Sequence, residues 1–223
     1  MQLYALPDLI RGLVFDIDKT LYDHEAYARH QSDVLIERLA EVRASSVESA
    51  REEVEAWRDE HERRHGVRQS LGNTFAALGI PMETSIEWRV ELIRPDRFLG
   101  RDRRLREALD ELRARYRIIA VTNNPERVGR ATLEALGVDD LFAHVVGLDT
   151  TKRSKPDPRP FLHAARVLGC PAKVLVSVGD RYDVDIAPAL KIGMGGVLVD
   201  GVRDVYRLSE RLLEENPDAG TAV

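Results

Sequence analysis

The chain has 223 residues, 43% hydrophobic and 32% charged, with a net charge of −5 at neutral pH. That length accommodates one sizeable domain plus a smaller insert, and the apolar fraction can supply a core. The charge excludes an overall basic footprint for nucleic acid, no apolar stretch approaches the length of a membrane span, and the first residues lack the basic and long apolar segments of a signal peptide.

The first predicted element is Leu13-Val14-Phe15, a short apolar run that reads as a buried parallel strand. It ends in Asp16-Ile17-Asp18-Lys19-Thr20. Ligand sites of open α/β sheets lie beyond the carboxyl ends of their strands. Alternation makes Asp16 and Asp18 near neighbours facing the same way. Two such carboxylates repel, and a bound cation is the natural compensation. The pair suits a metal-assisted reaction in which one carboxylate is the nucleophile and the other an acid/base. The bland alternative is two solvated loop aspartates, or an Asp18 that only caps a turn.

Strand signals then disappear. Glu25–Val42, Val47–His65, Gln69–Leu78 and Met82–Ile93 read as helices, broken near Ser45-Ser46, Gly66 and Gly79-Ile80-Pro81. Linkers are expected near 22–25 and 95–100. Arg63, Arg64, His65 and Arg68 read as a basic helix end offsetting the dipole and pairing with Glu52, Glu60 or Glu62, with contact to a second substrate anion as the sharper alternative. His61 and His65 share a helical face but have no carboxylate pattern for a zinc site. Trp57 and Trp88 read as core of this segment. Tyr22, His24 and Tyr27 follow the first acidic pair closely enough to line its entrance.

The segment Arg101–Tyr116 places Leu105, Ala108, Leu109 and Leu112 on one face of an amphipathic helix. Ile118–Val121 is a second strand, ending in Thr122-Asn123-Asn124-Pro125. A helix from Pro125 to Leu136, stopped by Gly137, follows. Thr122 and the backbone N–H groups after it form a natural phosphate cradle. A further strand is expected to end near Leu148. In Ser154-Lys155-Pro156-Asp157-Pro158, Lys155 is a point charge suited to a phosphate and a carboxylate nucleophile, and Asp157 can cap a helix opening at Pro158. Cys170, the only cysteine, excludes an intramolecular disulfide and fits a reducing cytoplasm. Val174–Val178 is another buried strand, delivering Gly179, Asp180, Asp183 and Asp185. Asp180 is a hard oxygen ligand of the kind magnesium takes; of Asp183 and Asp185, one can serve the metal while the other caps a helix. A strand ending near Val199, a helix at Ser209–Glu215 and a frayed tail from Asn216 complete the chain.

Taken in order, Asp16-Ile17-Asp18-Lys19-Thr20, Thr122-Asn123-Asn124, Lys155-Pro156-Asp157-Pro158 and Gly179-Asp180 through Asp185 resemble the four motifs of the haloacid dehalogenase-like hydrolase superfamily. The resemblance spans nearly the whole chain, except that residues 23–96 match only in length and helical character. It implies an α/β fold: a Rossmann-like parallel sheet with helices on both faces, formed by residues 1–22 and 96–223, and a small all-helical cap, residues 23–95.

The resemblance also implies roles. Asp16 would attack phosphorus and give an aspartyl-phosphate, its other oxygen binding Mg2+. Asp18 would protonate the leaving group and then activate water, its backbone carbonyl meeting the metal. Thr122 and the Asn123 backbone would hold phosphoryl oxygens, and Lys155 would neutralise charge. Asp180 would complete the metal site, with Asp185 in support. Asp18 separates the phosphatase branch from the dehalogenases, which lack an acid/base carboxylate there. Lys19 departs from the small or neutral residue more often found at its position, and bears on the cap or on specificity. The implied function is magnesium-dependent hydrolysis of a small phosphate monoester, closest in pattern to nucleotidases and phosphoglycolate phosphatases. The rivals are a phosphomutase using the same Asp16 and a non-catalytic binding protein on the same fold. The expected partner is a small phosphorylated metabolite, without nucleic acid or membrane, in the cytoplasm; a homodimer through the cap is compatible with the sequence.

Overall fold

The computed structural model describes residues 1–66 and 68–215. Six strands form one sheet: β1 (Gln2–Tyr4), β2 (Gly12–Phe15), β3 (Arg117–Val121), β4 (Val145–Val146), β5 (Leu175–Gly179) and β6 (Gly195–Leu198). Their order is β1-β6-β5-β2-β3-β4. All neighbours are parallel except β1, which runs antiparallel to β6. The sequence gives little sign of β1, because a three-residue strand is too short to show a period. Phe15 pairs with Ala120 on one side and Val178 on the other. The three central strands therefore end level, which brings Asp16, Thr122 and Asp180 to one edge of the sheet.

Eleven helices are described: α1 (Glu25–Arg43), α2 (Val47–His65), α3 (Leu71–Ala77), α4 (Met82–Leu92), α5 (Arg103–Arg113), α6 (Glu126–Leu136), α7 (Leu148–Thr151), α8 (Arg159–Leu168), α9 (Ala187–Lys191), α10 (Val202–Val205) and α11 (Leu208–Glu215). Alternation along β2 sorts its side chains between two layers. Leu13 and Phe15 pack with Leu105, Leu109, Val128, Leu133 and Leu212 from α5, α6 and α11. Val14 faces the other way, among Phe161, Ala164, Leu168 and Ala189 from α8 and α9. Strands covered on both faces account for the unbroken apolar runs. The strand expected to end near Leu148 stops at Val146: Gly147 N–H donates to Thr150 Oγ1, and Leu148 N–H to the Asn124 carbonyl, which turns the chain into α7.

Helices α1–α4 carry their own apolar cluster of Leu35, Ile36, Leu39, Ala50, Val54, Phe75 and Trp88. Ser46 and Ser70 cap α2 and α3 by accepting from the N–H groups of Ser49 and Asn73, and Gly66 ends α2 in the left-handed conformation. Trp88 is core as expected, whereas Trp57 is exposed and donates to Gln69 Oε1. Hydrogen bonds that join this helical layer to the sheet layer include Tyr27 OH with Thr132 Oγ1 at 2.9 Å and Ser70 Oγ with Ser154 Oγ at 3.0 Å. The tail from Asn216 lies outside the described residues.

Candidate active site

Asp16 leaves the end of β2 buried, and its carboxylate is held from two sides. Lys155 Nζ lies 2.6 Å from Oδ1, and Thr20 Oγ1 donates to Oδ2 at 3.2 Å. The same ammonium donates to Asp185 Oδ1 at 2.7 Å. Lys155 is only 2% exposed, so its charge is answered by these two carboxylates and not by water. Its place is fixed by the Asn123 side chain, which accepts from Lys155 N–H at 2.7 Å and donates to the Lys155 carbonyl at 3.1 Å. The Lys155–Pro156 peptide is cis. Asp157 accepts from Arg159 N–H, while the cap position of α8 is taken by Pro158 rather than by Asp157 as expected.

Asp18 points away from Lys155 into a bracket of donors. Tyr22 OH and Gln31 Nε2 reach Oδ1 at 2.7 and 2.8 Å, while Thr122 Oγ1 and Asn124 Nδ2 reach Oδ2 at 3.2 and 3.0 Å. Thr122 Oγ1 also accepts from Asn124 N–H, so its hydroxyl is occupied by the bracket. Burial first and Asp18 second raise the Tyr22 hydroxyl far above an ordinary phenol, so it stays a donor.

Strand β5 contributes Asp180 and, through a wide turn at Tyr182–Ile186, Asp185. Gly179 permits that turn: a Cβ there would fall on the Asp185 side chain. Asp185 Oδ2 accepts from Arg181 N–H at 3.1 Å. Asp183 is half-exposed and pairs with Arg181 instead, so Asp185 is the one brought to the site. Oxygens of Asp16, Asp180 and Asp185 all lie within 4.8 Å of one another. Three carboxylates crowd around one ammonium there, and burial with mutual repulsion raises Asp16 and Asp180. Burial lifts Asp16 well above the usual carboxylate range against the pull of Lys155, with Asp185, Asp18 and Asp180 adding repulsion. Burial and then Asp185 push Asp180 up to about 6. Burial opposes the Lys155 charge, but the two carboxylates outweigh it and keep an ammonium. Hard oxygen donors carrying excess negative charge fit a divalent cation. The Asp18 side chain is not in this cluster.

These groups open on a cleft of about 220 Å³ lined by Asp16, Asp18, Asn123, Lys155, Asp180 and Asp185, with Lys19, Tyr22, Gln31 and Arg181 on its walls. Thr122 lies behind Asp18 and does not line it. Lys19 sits at φ 62° and pairs with Glu25. His24 serves as the α1 cap, accepting from Tyr27 N–H, and Tyr27 is buried core. The basic end of α2 is paired as the bland reading has it: Arg63 and Arg64 with Glu60, Arg68 with Glu55, Asp59 and Glu62. A larger cleft of about 780 Å³, ringed by Arg11, Arg113, Arg115 and Arg117, contains none of the acidic set. Gln31 and Arg89 belong to the site's surroundings without having been singled out in the sequence. Arg89 is buried on α4, bonded to the carbonyl and hydroxyl of Ser85, and forms no ion pair among the described residues. Burial pushes its guanidinium down to about 10, with Asp18 acting in the opposite sense. A charge among Ser85, Trp88 and Leu92 at helical spacing is the sequence signal for it.

A Rossmann-like sheet with a helical layer, bearing carboxylates from two strand ends and a lysine over one cleft, defines an α/β protein with its site beyond the carboxyl ends of the strands. Residues 10–193 match the family model described as haloacid dehalogenase-like hydrolase, and the chain belongs to that family. It is similar to a phosphoglycolate phosphatase of Chromobacterium violaceum, 36% identical over 96 residues, a stretch covering 43% of each chain. A phosphoglycolate phosphatase of Neisseria gonorrhoeae is 38% identical over 94 residues, 42% of this chain and 39% of the relative. The matches thus span about two-fifths of these curated relatives. Among solved structures, a phosphatase of the same superfamily from Thermococcus onnurineus superimposes with a TM-score of 0.60 at 24% identity, covering 91% of this chain and 98% of the other. A 2-haloacid dehalogenase from Pseudomonas syringae does so at 0.59 and 21%, covering 93% and 100%. These structural likenesses are of fold.

Proposed function

We propose that the protein is a magnesium-dependent phosphatase that hydrolyses a small phosphate monoester through an aspartyl-phosphate on Asp16, with helices α1–α4, residues 23–95, as the cap over a core of residues 1–22 and 96–223. The observation that carries this reading is the division of labour between two carboxylates on one cleft. Asp16 is bound to an ammonium at 2.6 Å, and Asp18, two residues on, is turned to a separate set of neutral donors. A dehalogenase has no use for the second carboxylate, and neither does a binding protein.

In this mechanism one Asp16 oxygen attacks phosphorus as the ester bond breaks. Asp18, protonated once one of its four donors turns away, gives its proton to the departing oxygen. Asp18 then takes a proton from water, whose oxygen displaces Asp16 and yields inorganic phosphate. Lys155 offsets charge on Asp16 and on the transferring group, and the Asn123 backbone would hold that group's oxygens. Asp16, Asp180 and Asp185 would hold Mg2+, with the Asp18 carbonyl, and the ion would supply charge neutralisation at the phosphoryl oxygens.

The small cleft favours a short leaving group, and Lys19 and Arg181 on its walls, paired with Glu25 and Asp183, would favour an anionic one by exchanging those partners for it. With the named relatives, this supports a phosphoglycolate-like ester over a nucleotide. The test is phosphate release, with and without magnesium, from 2-phosphoglycolate, glycerol 2-phosphate and a nucleoside monophosphate. The expected result is metal-dependent release, greatest from 2-phosphoglycolate, with a KM raised about tenfold or more in Arg181→Ala. Release greatest from the nucleotide would overturn the substrate class. Transfer to a sugar phosphate with negligible release would replace phosphatase by mutase.

The acidic cluster also gives a pH dependence. Asp180 is raised in the fold, so its protonated form stabilises the metal-free protein fully at acid pH, and that contribution is lost as pH rises through about 6. Magnesium needs the same oxygens free of protons. The rise in melting temperature on adding magnesium is therefore expected to grow between about pH 5 and about pH 7.5. A shift that is flat, or largest at the acid end, would remove these carboxylates from the metal site.

A further inference from the structure

Four donors fix the Asp18 carboxylate, two on each oxygen. Thr122 and Asn124 stand at the end of β3, and Tyr22 lies just beyond the first motif. The fourth, Gln31, belongs to α1, in the middle of a long helix. Its amide is locked: Nε2 donates to Asp18 Oδ1 at 2.8 Å and to Tyr22 OH at 2.9 Å, and Oε1 accepts from Asn124 Nδ2 at 2.7 Å. The reverse orientation would set its oxygen against a carboxylate and its NH2 against another NH2, so the network admits one arrangement. Asn124 Nδ2 closes a ring by bonding both Gln31 and Asp18.

We infer that Gln31 is a positioning residue through which helix α1 holds the plane of the Asp18 carboxylate, one of whose four donors gives way when Asp18 serves the leaving-group oxygen; this rests on the phosphatase reading above. A proton donor contributes only when held within hydrogen-bond reach of the atom it serves, and a carboxylate beyond a strand end, next to Lys19 at φ 62°, has no regular structure to hold it. Both oxygens must be tethered to fix the carboxylate plane. Of the four tethers, Gln31 is the one that does not come from the two core motifs or the residue beside them. It therefore ties the aim of Asp18 to the placement of α1.

The test compares kcat/KM, which reports formation of the aspartyl-phosphate, for two small esters. 2-Phosphoglycolate releases an alkoxide that needs the Asp18 proton, whereas acetyl phosphate releases acetate, which does not. Gln31→Met keeps bulk and removes all three hydrogen bonds. It is expected to lower kcat/KM for 2-phosphoglycolate about tenfold, a fraction of the about 10²–10⁴-fold that a general acid supplies, and to lower it much less for acetyl phosphate. Gln31→Glu, which sets a like charge against Asp18, should do the same, and in an Asp18→Asn background Gln31→Met should add nothing. Melting curves establish that the variants are folded. Equal losses on both esters, no loss on either, or a loss confined to KM would each overturn the inference. Wild type cleaving neither ester, or Asp16→Asn retaining activity, would instead overturn the phosphatase reading.

Discussion

Asp16→Asn is expected to abolish turnover, lowering kcat by about 10⁴-fold or more, since an enzyme that loses its nucleophile keeps only binding and charge stabilisation. The fold should survive. The amide retains an acceptor for Lys155, and its removal of one of three crowded carboxylates lowers the repulsion and the burial cost that raise Asp16. The metal-free variant should therefore melt no lower than wild type, while its stabilisation by magnesium shrinks. Phosphate release and thermal melting, measured on one preparation, check both halves. Retained turnover would rule out the covalent route, and a collapsed melting temperature would show that the Asp16 charge holds the structure together.

Lys155→Met carries the largest expected effect on stability. The lysine is buried, and its one charge serves both Asp16 and Asp185 at 2.6 and 2.7 Å. Removing one member of a buried ion pair costs about 3–5 kcal/mol, because the partner is left charged and unsolvated, and here two partners are left. The loss should be read by urea denaturation near neutral pH without metal. It should diminish at acid pH, where the carboxylates can take protons, and on adding magnesium, which replaces the missing charge. Activity should fall about 10²–10³-fold, the usual effect of losing one charge-stabilising group. Unchanged stability in metal-free neutral solution would mean that water reaches this cluster.

Much of the site is legible from local pattern. Asp16, Thr122 and Asp180 each follow an apolar run, and parallel pairing with Phe15 opposite Ala120 and Val178 brings the run ends together. Lys155 is marked by the prolines around it, and the helical bounds of α2 follow from Ser46 and Gly66. Choosing Asp185 over Asp183 needs the structure, because the turn at Tyr182–Ile186 decides which of the two points inward. The Thr122 hydroxyl, read as a phosphate ligand, is bonded to Asp18, since a neighbouring carboxylate is its strongest acceptor. Gln31 could not be read at all. In α1 a glutamine on a partly polar helix has no local mark, and its meaning comes from Asn124, 93 residues away.

The Lys155–Asp16 bond closes 139 residues of chain, and the bond to Thr132 from Tyr27 closes 105. Contacts within α1–α4 span shorter separations, such as the 53 residues between Arg38 and Glu91. The longer loops close late because their entropy must be met before the contact exists. On the proposed function, catalytic competence would depend on the assembled sheet, because the nucleophile–lysine pair exists only once β2 and the segment carrying Lys155 are together. Recovered turnover would then count molecules whose sheet has closed, a direct readout of long-range folding.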